Sequence, residues 1–390
     1  MVEREVIRGI IIEGQEFVNE ISLTERPFFF EQKGNYVFVG IRQAGKSYLL
    51  YQRIQQLLRE EHNINEIVYI NFDDERLRQM TADDLDLILQ AYHSLFDLHP
   101  LLFFDEIQNI EGWEHFARRL ANQKYNIYIT GSNAKMLSRE IATTLGGRFW
   151  NKDVYPYSFA EYLNARNIIL SKNWIYGKQA AEVSKAFNDY FLYGGFPELT
   201  DVIAKRVWLN DIYSKIFFSD LIVRNKVRNE EALGLLVRRL AENVKQPVSY
   251  TRLANLISSI GIKISKATVI EFIRYLKESC LIFPIENYAA KFAERNSNMK
   301  HYFIDNGLLS IFLLDGNTSL LENIVAIHLY KRYGAQLYFY NQNIEVDFVI
   351  PEAKTAIQVS YSLMDETTCR REVEGLIKLN RVFPMDNMCI

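Results

Sequence analysis

The sequence lacks several features that mark secreted, membrane and zinc-binding proteins. Its three cysteines, Cys280, Cys369 and Cys389, are widely spaced and form no C-x-x-C pair. This pattern argues against a disulfide framework or a zinc site and fits a reducing compartment. No apolar run approaches the length that crosses a bilayer, and the first residues contain no apolar signal segment. These absences predict a cytoplasmic protein with no membrane partner.

A strong excess of one charge is also absent. The chain has 45 Lys and Arg residues against 48 Asp and Glu residues, a formal net charge of −3. Overall charge therefore gives no bias toward nucleic acid, although a local basic patch is compatible with it. The chain does have length and apolar content, with 390 residues of which 48% are hydrophobic. That is enough for two or three domains with sizeable cores.

The most informative segment is YVFVGIRQAGKSYLL, from Tyr36 to Leu50. Its apolar start predicts a buried strand, a helical pattern follows, and G-x-x-x-x-G-K-S lies between them as in a phosphate loop. The loop amides and the positive end of the helix would face a polyphosphate. Lys46 would reach the β- and γ-phosphates, and Ser47 would bind Mg²⁺; a glycine-containing turn without a ligand is the alternative. The predicted nucleotide-binding residues are Gly40, Ile41, Arg42, Gln43, Ala44, Gly45, Lys46, Ser47 and Tyr48.

The first part of the chain alternates between strand and helix patterns. Continuously apolar strands that alternate with helices predict an α/β fold, with a parallel sheet covered by helices on both faces. A helical section and a small separate α/β unit are predicted to follow. Strands are predicted at Tyr36–Val39, Ile67–Asn71, Leu101–Phe104, Ile127–Thr130 and Phe149–Val154, and helices at Lys46–Glu60, Asp83–Phe96 and Glu111–Gln123.

A second motif places two carboxylates after a buried strand. Four apolar residues from Leu101 to Phe104 precede Asp105 and Glu106, and ligands of open α/β sheets bind at the carboxyl ends of strands. Asp105 would hold Mg²⁺, and Glu106 would orient and deprotonate an attacking water. The alternative is that both acids only cap the following turn.

Three weaker signals lie nearby. Ser132 or Asn133, after the fourth strand, is positioned to contact the γ-phosphate or the water, but either would equally cap the next helix. Arg148, before the fifth strand, would stabilise transition-state charge in its own or a neighbouring subunit, or would form a surface salt bridge. Arg42 would contact the nucleotide or a partner, or would be solvated.

Together these motifs resemble the prokaryotic AAA-type ATPases that carry a C-terminal domain of unknown function. The resemblance implies a P-loop ATPase domain (1–157), a helical section (158–230), a winged-helix-like domain (231–310) and a degenerate restriction-endonuclease-like domain (311–390). It implies ATP and Mg²⁺ as cofactors, and the absence of the guanine-reading N-K-x-D agrees with adenine. The matching segments are GIRQAGKS, LLFFDEIQ, ITGSN, GGRFW, VYPYSFAEYL, YFLYGGFPE, HYFIDNGLL, LENIVAIHLYKR, EVDFVI and AIQVSYSL.

The C-terminal part would supply the output of an ATPase cycle. Glu322 and Asp347 fit two acidic positions of a nuclease of that fold, but Gln358 and Ser360 stand where Glu-x-Lys is needed, so the cation is missing and cleavage is disfavoured. The helix Ser265–Ser279 exposes a few basic residues, which leaves DNA and protein as alternative partners.

An ATPase that drives a conformational change is the leading hypothesis. A nucleotide-gated binding module with little turnover is the alternative, and either would be compatible with an oligomer.

Overall fold

The computed structural model describes residues 3–137, 139–291, 295 and 298–390. The chain divides into two compact units, Met1–Tyr155 and Pro156–Ile390. Among the residues so described, none of the helices combines the length and the apolar character that a membrane span needs.

The first unit is built on a parallel sheet of five strands: β1 (Asn35–Val39), β2 (Ile67–Asn71), β3 (Leu101–Asp105), β4 (Asn126–Gly131) and β5 (Phe149–Asp153). Their order is β2-β3-β4-β1-β5, so β4 separates β1 from β3. The predicted fold class is confirmed, and each predicted strand agrees within one residue at either end. The helices of this unit are α1 (Arg4–Glu20), α2 (Lys46–Arg59), α3 (Asp86–His93), α4 (Trp113–Asn122) and α5 (Arg139–Leu145).

Burial of the central strands explains their apolar sequence. Every residue of β3 is buried, and so are Val37, Phe38 and Val39 of β1, as expected for a sheet covered on both faces. On one face α1 approaches β2, where the Gln15 side chain donates to the carbonyl of Ile67 at 2.8 Å. Helix α3 is shorter than predicted because a separate 3₁₀ turn, Ala82–Asp84, precedes it with Thr81 as its cap.

The second unit combines helices with a seven-stranded sheet. Its strands are β6 (Val248–Ser249), β7 (Ile282–Asn287), β8 (Asn298–Phe303), β9 (Tyr338–Asn341), β10 (Glu345–Ile350), β11 (Thr355–Ile357) and β12 (Asn387–Cys389). Its helices include α6 (Phe159–Ala165), α7 (Lys178–Tyr193), α8 (Lys205–Lys215), α9 (Glu230–Glu242), α10 (Tyr250–Ser258), α11 (Lys266–Glu278), α12 (Asn306–Ser310), α13 (Asn317–Tyr333) and α14 (Glu366–Val382).

One sheet runs across the predicted boundary at residue 310. The hairpin β7–β8 follows α10 and α11, and β7 also pairs with β9 in parallel, with Glu286 opposite Tyr338. The full order is β12-β11-β10-β9-β7-β8-β6. The predicted winged-helix-like and nuclease-like segments therefore contribute strands to a single sheet, and β12 is a strand that the sequence does not predict.

A buried carboxylate anchors the Gly-Gly turn that follows α7. Asp305 accepts hydrogen bonds from the backbone N–H groups of Gly195 at 2.7 Å and Gly307 at 2.8 Å. Gly194 has φ +79°, and a Cβ atom there would overlap the Asp305 carboxylate. Burial raises the pKa of Asp305 to about 6, although these N–H groups favour its charged form.

We predict that Asp305→Asn flattens the pH dependence of stability. The folded protein holds this proton more tightly than the unfolded chain, so the free energy of unfolding falls as pH rises from about 4 to about 6. A pKa of about 6 against an ordinary 3.8 corresponds to about 3 kcal/mol. Urea unfolding at several pH values should show this fall in the wild type and in the exposed control Asp315→Asn, but not in Asp305→Asn. Identical slopes in all three proteins would contradict the assignment.

Candidate nucleotide site

The loop between β1 and α2 requires its two motif glycines. Gly45 has φ +91° and is the N-cap of α2, a left-handed conformation that glycine adopts without steric cost. At Gly40 a Cβ atom would overlap the carbonyl oxygen of Val154, because the chain after β5 passes there and Val154 donates its N–H to Val39 at 2.6 Å. The loop backbone is thus shaped by α2 on one side and by the end of β5 on the other.

Lys46 is a buried cation at the start of α2. Its ammonium donates a hydrogen bond to the carbonyl of Ile41 at 3.2 Å and lies 3.5 Å from Glu106 Oε1. Only 4% of the residue is exposed, and a buried charge needs such partners. The loop and the acid after β3 therefore hold the ammonium between them.

Asp105 ends β3 and is surrounded by hydroxyl groups. Its carboxylate accepts hydrogen bonds from Tyr69 at 2.9 Å, from Thr130 and from Ser47. Burial, together with the neighbouring Glu106, raises its pKa, and the three hydroxyls act in the opposite direction. Carboxylate and hydroxyl oxygens are hard ligands of the kind Mg²⁺ prefers, usually together with phosphate oxygens. The donor set of Ser47 and Asp105 therefore fits Mg²⁺ delivered with a nucleotide.

The rest of the ligand set would have to come from the nucleotide. Among the residues that the structure describes, no group of three or more His, Cys, Asp or Glu side chains is arranged to hold a metal ion. Mg²⁺ in nucleotide sites is commonly held by one or two protein oxygens plus phosphates and water.

Glu106 follows Asp105 in a left-handed conformation, with φ +52°. Its N–H donates to the hydroxyl of Thr130 at 3.0 Å, so one side chain of β4 contacts both acids. Burial opposes ionisation of Glu106, but the Lys46 ammonium and hydrogen bonds from Gln108 and Ser132 outweigh it and lower its pKa. The carboxylate is therefore ionised at neutral pH, the form that accepts a proton.

The two candidates after β4 have different surroundings. Ser132 is buried and its hydroxyl is a hydrogen-bond partner of Glu106. Asn133 is partly buried, and its carbonyl accepts from Met136 at 3.0 Å in the 3₁₀ turn Ala134–Leu137. The choice between a nucleotide contact and a helix cap therefore stays a prediction for both residues. Arg42, in the loop, also helps to lower the pKa of Glu106.

Arg148 and Tyr48 are more distant from this group. Arg148 is exposed, donates to the carbonyl of Gly146 at 3.1 Å, and accepts at its own carbonyl from Asn35 at 3.3 Å. Asn35 begins β1, whereas the phosphate loop follows the carboxyl end of that strand. Because the strands are parallel, Arg148 lies at the amino ends of the strands, opposite to the phosphate loop. The structure does not bring it to the loop of its own chain. Tyr48 is half exposed on the first turn of α2.

Three contacts of the acids come from residues that the sequence analysis did not single out. These are Tyr69 on β2, Thr130 on β4 and Gln108 directly after β3. Thr130 is a polar last member of an otherwise apolar run, which is a usable signal. The contact of Tyr69 becomes visible only when the strand order is known, and that of Gln108 depends on the turn that follows the two acids.

A large polar cleft lies in the second unit, separate from the phosphate loop. It has a volume of about 1060 Å³, and its lining includes Glu322, Asp347, Gln358 and Ser360. The ammonium of the fully buried Lys300 lies 3.2 Å from Glu322 and 3.2 Å from Asp347. The expectation that a cation is missing here is therefore wrong, because β8 supplies one from outside the motif. Burial also raises the pKa of Glu322 to about 7.

The amide of Gln358 is part of the same network. Its carbonyl oxygen accepts from the N–H of Asp347 at 2.7 Å, and its nitrogen donates to Glu372. All of these groups have partners within the unit. These charged and polar groups therefore satisfy one another through ion pairs and hydrogen bonds within the second unit.

Two parts of the chain match models of known protein domains. Residues 32–163 match the model of an AAA domain, and residues 184–319 match a domain of unknown function. A solved structure with a similar arrangement is the Walker-type ATPase PABY2304 of Pyrococcus abyssi, with 13% identity, 80% of this chain and 96% of that chain covered, and a TM-score of 0.45. That score carries no functional argument.

Two curated relatives extend over most of the chain. The uncharacterized protein MJ1544 of Methanocaldococcus jannaschii is 32% identical over all of this chain and 89% of its own length. An uncharacterized protein of Haemophilus influenzae is 30% identical over 88% of this chain and 86% of its own. The chain belongs to the family of these proteins, and its first unit carries a P-loop AAA-type ATPase domain.

Proposed function

We propose that this protein binds Mg²⁺-ATP and hydrolyses it to ADP and phosphate. The observation that carries the proposal is the position of Lys46, whose ammonium lies at a phosphate loop within 3.5 Å of the ionised Glu106. A polyphosphate would offer Lys46 a stronger anionic partner, and this exchange would free the carboxylate as a base.

Each group then has a chemical task. Lys46 and the loop amides bind the β- and γ-phosphates, and Ser47 with Asp105 would hold Mg²⁺, which offsets phosphate charge when bound. Glu106 accepts a proton from water as the water oxygen bonds to the γ-phosphorus and the bond to the ADP oxygen breaks. Ser132, which contacts Glu106, or Asn133 would contact the γ-phosphate or the attacking water. Arg148 would serve only the nucleotide of a second copy of the chain.

We predict that Glu106→Gln abolishes turnover and keeps nucleotide binding. The amide has the same shape but accepts no proton, so kcat should fall at least about 100-fold, while the Kd for ATP stays within about threefold. Phosphate release and calorimetric titration measure the two quantities, with the exposed Glu111→Gln as a matched control. Turnover that survives Glu106→Gln would remove the assigned base.

We predict that Lys46→Met weakens Mg²⁺-ATP binding. Loss of the ammonium removes the charge-assisted contact with the phosphates, which is expected to raise Kd by about 10- to 100-fold. Titration with a fluorescent ATP analogue measures this, and circular dichroism checks the fold. Unchanged affinity would place the nucleotide elsewhere.

The second unit would respond to the nucleotide by binding a partner. Lys263, Lys266, Arg274 and Lys277 are all exposed on α11 and the turn before it, which favours contact with the phosphates of duplex DNA. Glu271 and Glu278 on the same helix reduce this positive charge, so a protein partner is the alternative. Coupling without turnover would be the behaviour of a nucleotide-gated binding module.

We predict that duplex DNA raises the rate of ATP hydrolysis at low ionic strength. Lys263→Glu/Lys266→Glu should remove this stimulation and leave the basal rate unchanged, because both residues lie outside the first unit. Added salt should weaken the effect, since phosphate contacts release counterions. A rate that is the same with and without DNA would favour the protein partner.

A further inference from the structure

Gln108 makes a direct contact with Glu106 that the assigned machinery does not explain. It lies in the 3₁₀ turn Ile107–Asn109, immediately after β3 and the two acids. Its amide nitrogen donates a hydrogen bond to Glu106 Oε2 and lies 3.4 Å from the hydroxyl of Ser132. One side chain therefore connects the ends of β3 and β4 at the carboxylate.

The other end of this amide is left without a partner. Gln108 Oε1 is buried and accepts no hydrogen bond from the described residues, an arrangement that carries an energetic penalty. Rotation of the amide by half a turn would bring its oxygen against the Glu106 carboxylate, where two acceptors repel. The contact with Glu106 thus determines the orientation of the Gln108 amide, even though its carbonyl oxygen forms no hydrogen bond in that orientation.

The surrounding backbone leaves room for this position and supports it. A Cβ atom at Gly131 would overlap Gln108 Oε1 and the sulfur of Met136, so β4 needs a glycine at that point. On the other side Asn109 donates to the carbonyl of Phe72 at 3.2 Å. The turn that carries Gln108 is therefore tied to the ends of β2 and β4.

Lys46 and Gln108 contact different oxygens of the Glu106 carboxylate. Lys46 is close to Oε1 and Gln108 holds Oε2. If a nucleotide draws Lys46 to its phosphates, Oε1 is released and Oε2 stays fixed.

We propose that Gln108 is the positioning residue of the general base, which holds the Glu106 carboxylate in place while Oε1 takes the proton of the attacking water. This inference rests on the proposed hydrolysis. A purely structural tie would affect stability, whereas a positioning residue affects kcat without affecting nucleotide affinity.

The test is Gln108→Met, which keeps the volume and removes the hydrogen bond, compared with the exposed control Gln90→Met. The expected result is a fall in kcat of about 10- to 100-fold with Kd for ATP within about twofold of the wild type.

A second variant keeps the test open if Gln108→Met does not fold. Gln108→Glu has nearly the same shape but faces Glu106 with a like charge, and it should lower kcat at least as far as Gln108→Met does. An unchanged kcat in a folded variant, with turnover lost in Glu106→Gln, would overturn the inference alone. Absence of turnover in the wild type would overturn the proposed hydrolysis and this inference with it.

Discussion

The ion pair between Lys46 and Glu106 is the interaction on which the candidate site depends. The Lys46 side chain is almost fully buried and that of Glu106 is 17% exposed, so each needs the other unless a stronger partner arrives. They are 3.5 Å apart only because β4 lies between β1 and β3 and all three strands run in the same direction. The same order brings Thr130 to both acids. Sheet topology thus sets the distance between the cation and the base.

The second unit contains a buried lysine in a contrasting environment. Lys300 lies between Glu322 and Asp347, within a network in which Gln358 and Glu372 also satisfy one another. Lys46, by comparison, contacts only the carbonyl of Ile41 and the carboxylate of Glu106 among the contacts described above, and it lies at a glycine-containing loop. The network around Lys300 is satisfied by the protein, while Lys46 lies at a loop whose backbone amides would complement an anion. This difference favours the first unit as the nucleotide site.

Local patterns in the sequence were sufficient for the fold of the first unit. The five strands are short apolar runs and the phosphate loop is a contiguous motif, so both are visible without tertiary information. Tyr69 was missed because its contact with Asp105 depends on which strands are neighbours. Gln108 was missed although it is only two residues from Glu106, because the sequence does not show how the turn after β3 directs its side chain. Arg148 was considered for the site because it precedes a strand of the same sheet. In the folded sheet, however, it lies at the amino ends of the strands, whereas the phosphate loop lies at their carboxyl ends. Lys300 was missed because it comes from β8, far from the motif whose charge it balances.

The measurement that tests the account most directly is a crystal structure of the wild-type chain with Mg²⁺ and a non-hydrolysable ATP analogue. The account predicts that Lys46 Nζ leaves Ile41 and Glu106 and lies about 3 Å from phosphate oxygens, with Ser47 and Asp105 beside the metal and Glu106 still held by Gln108. A nucleotide bound elsewhere, or a Lys46 that remains paired with Glu106 while the phosphates are present, would contradict it.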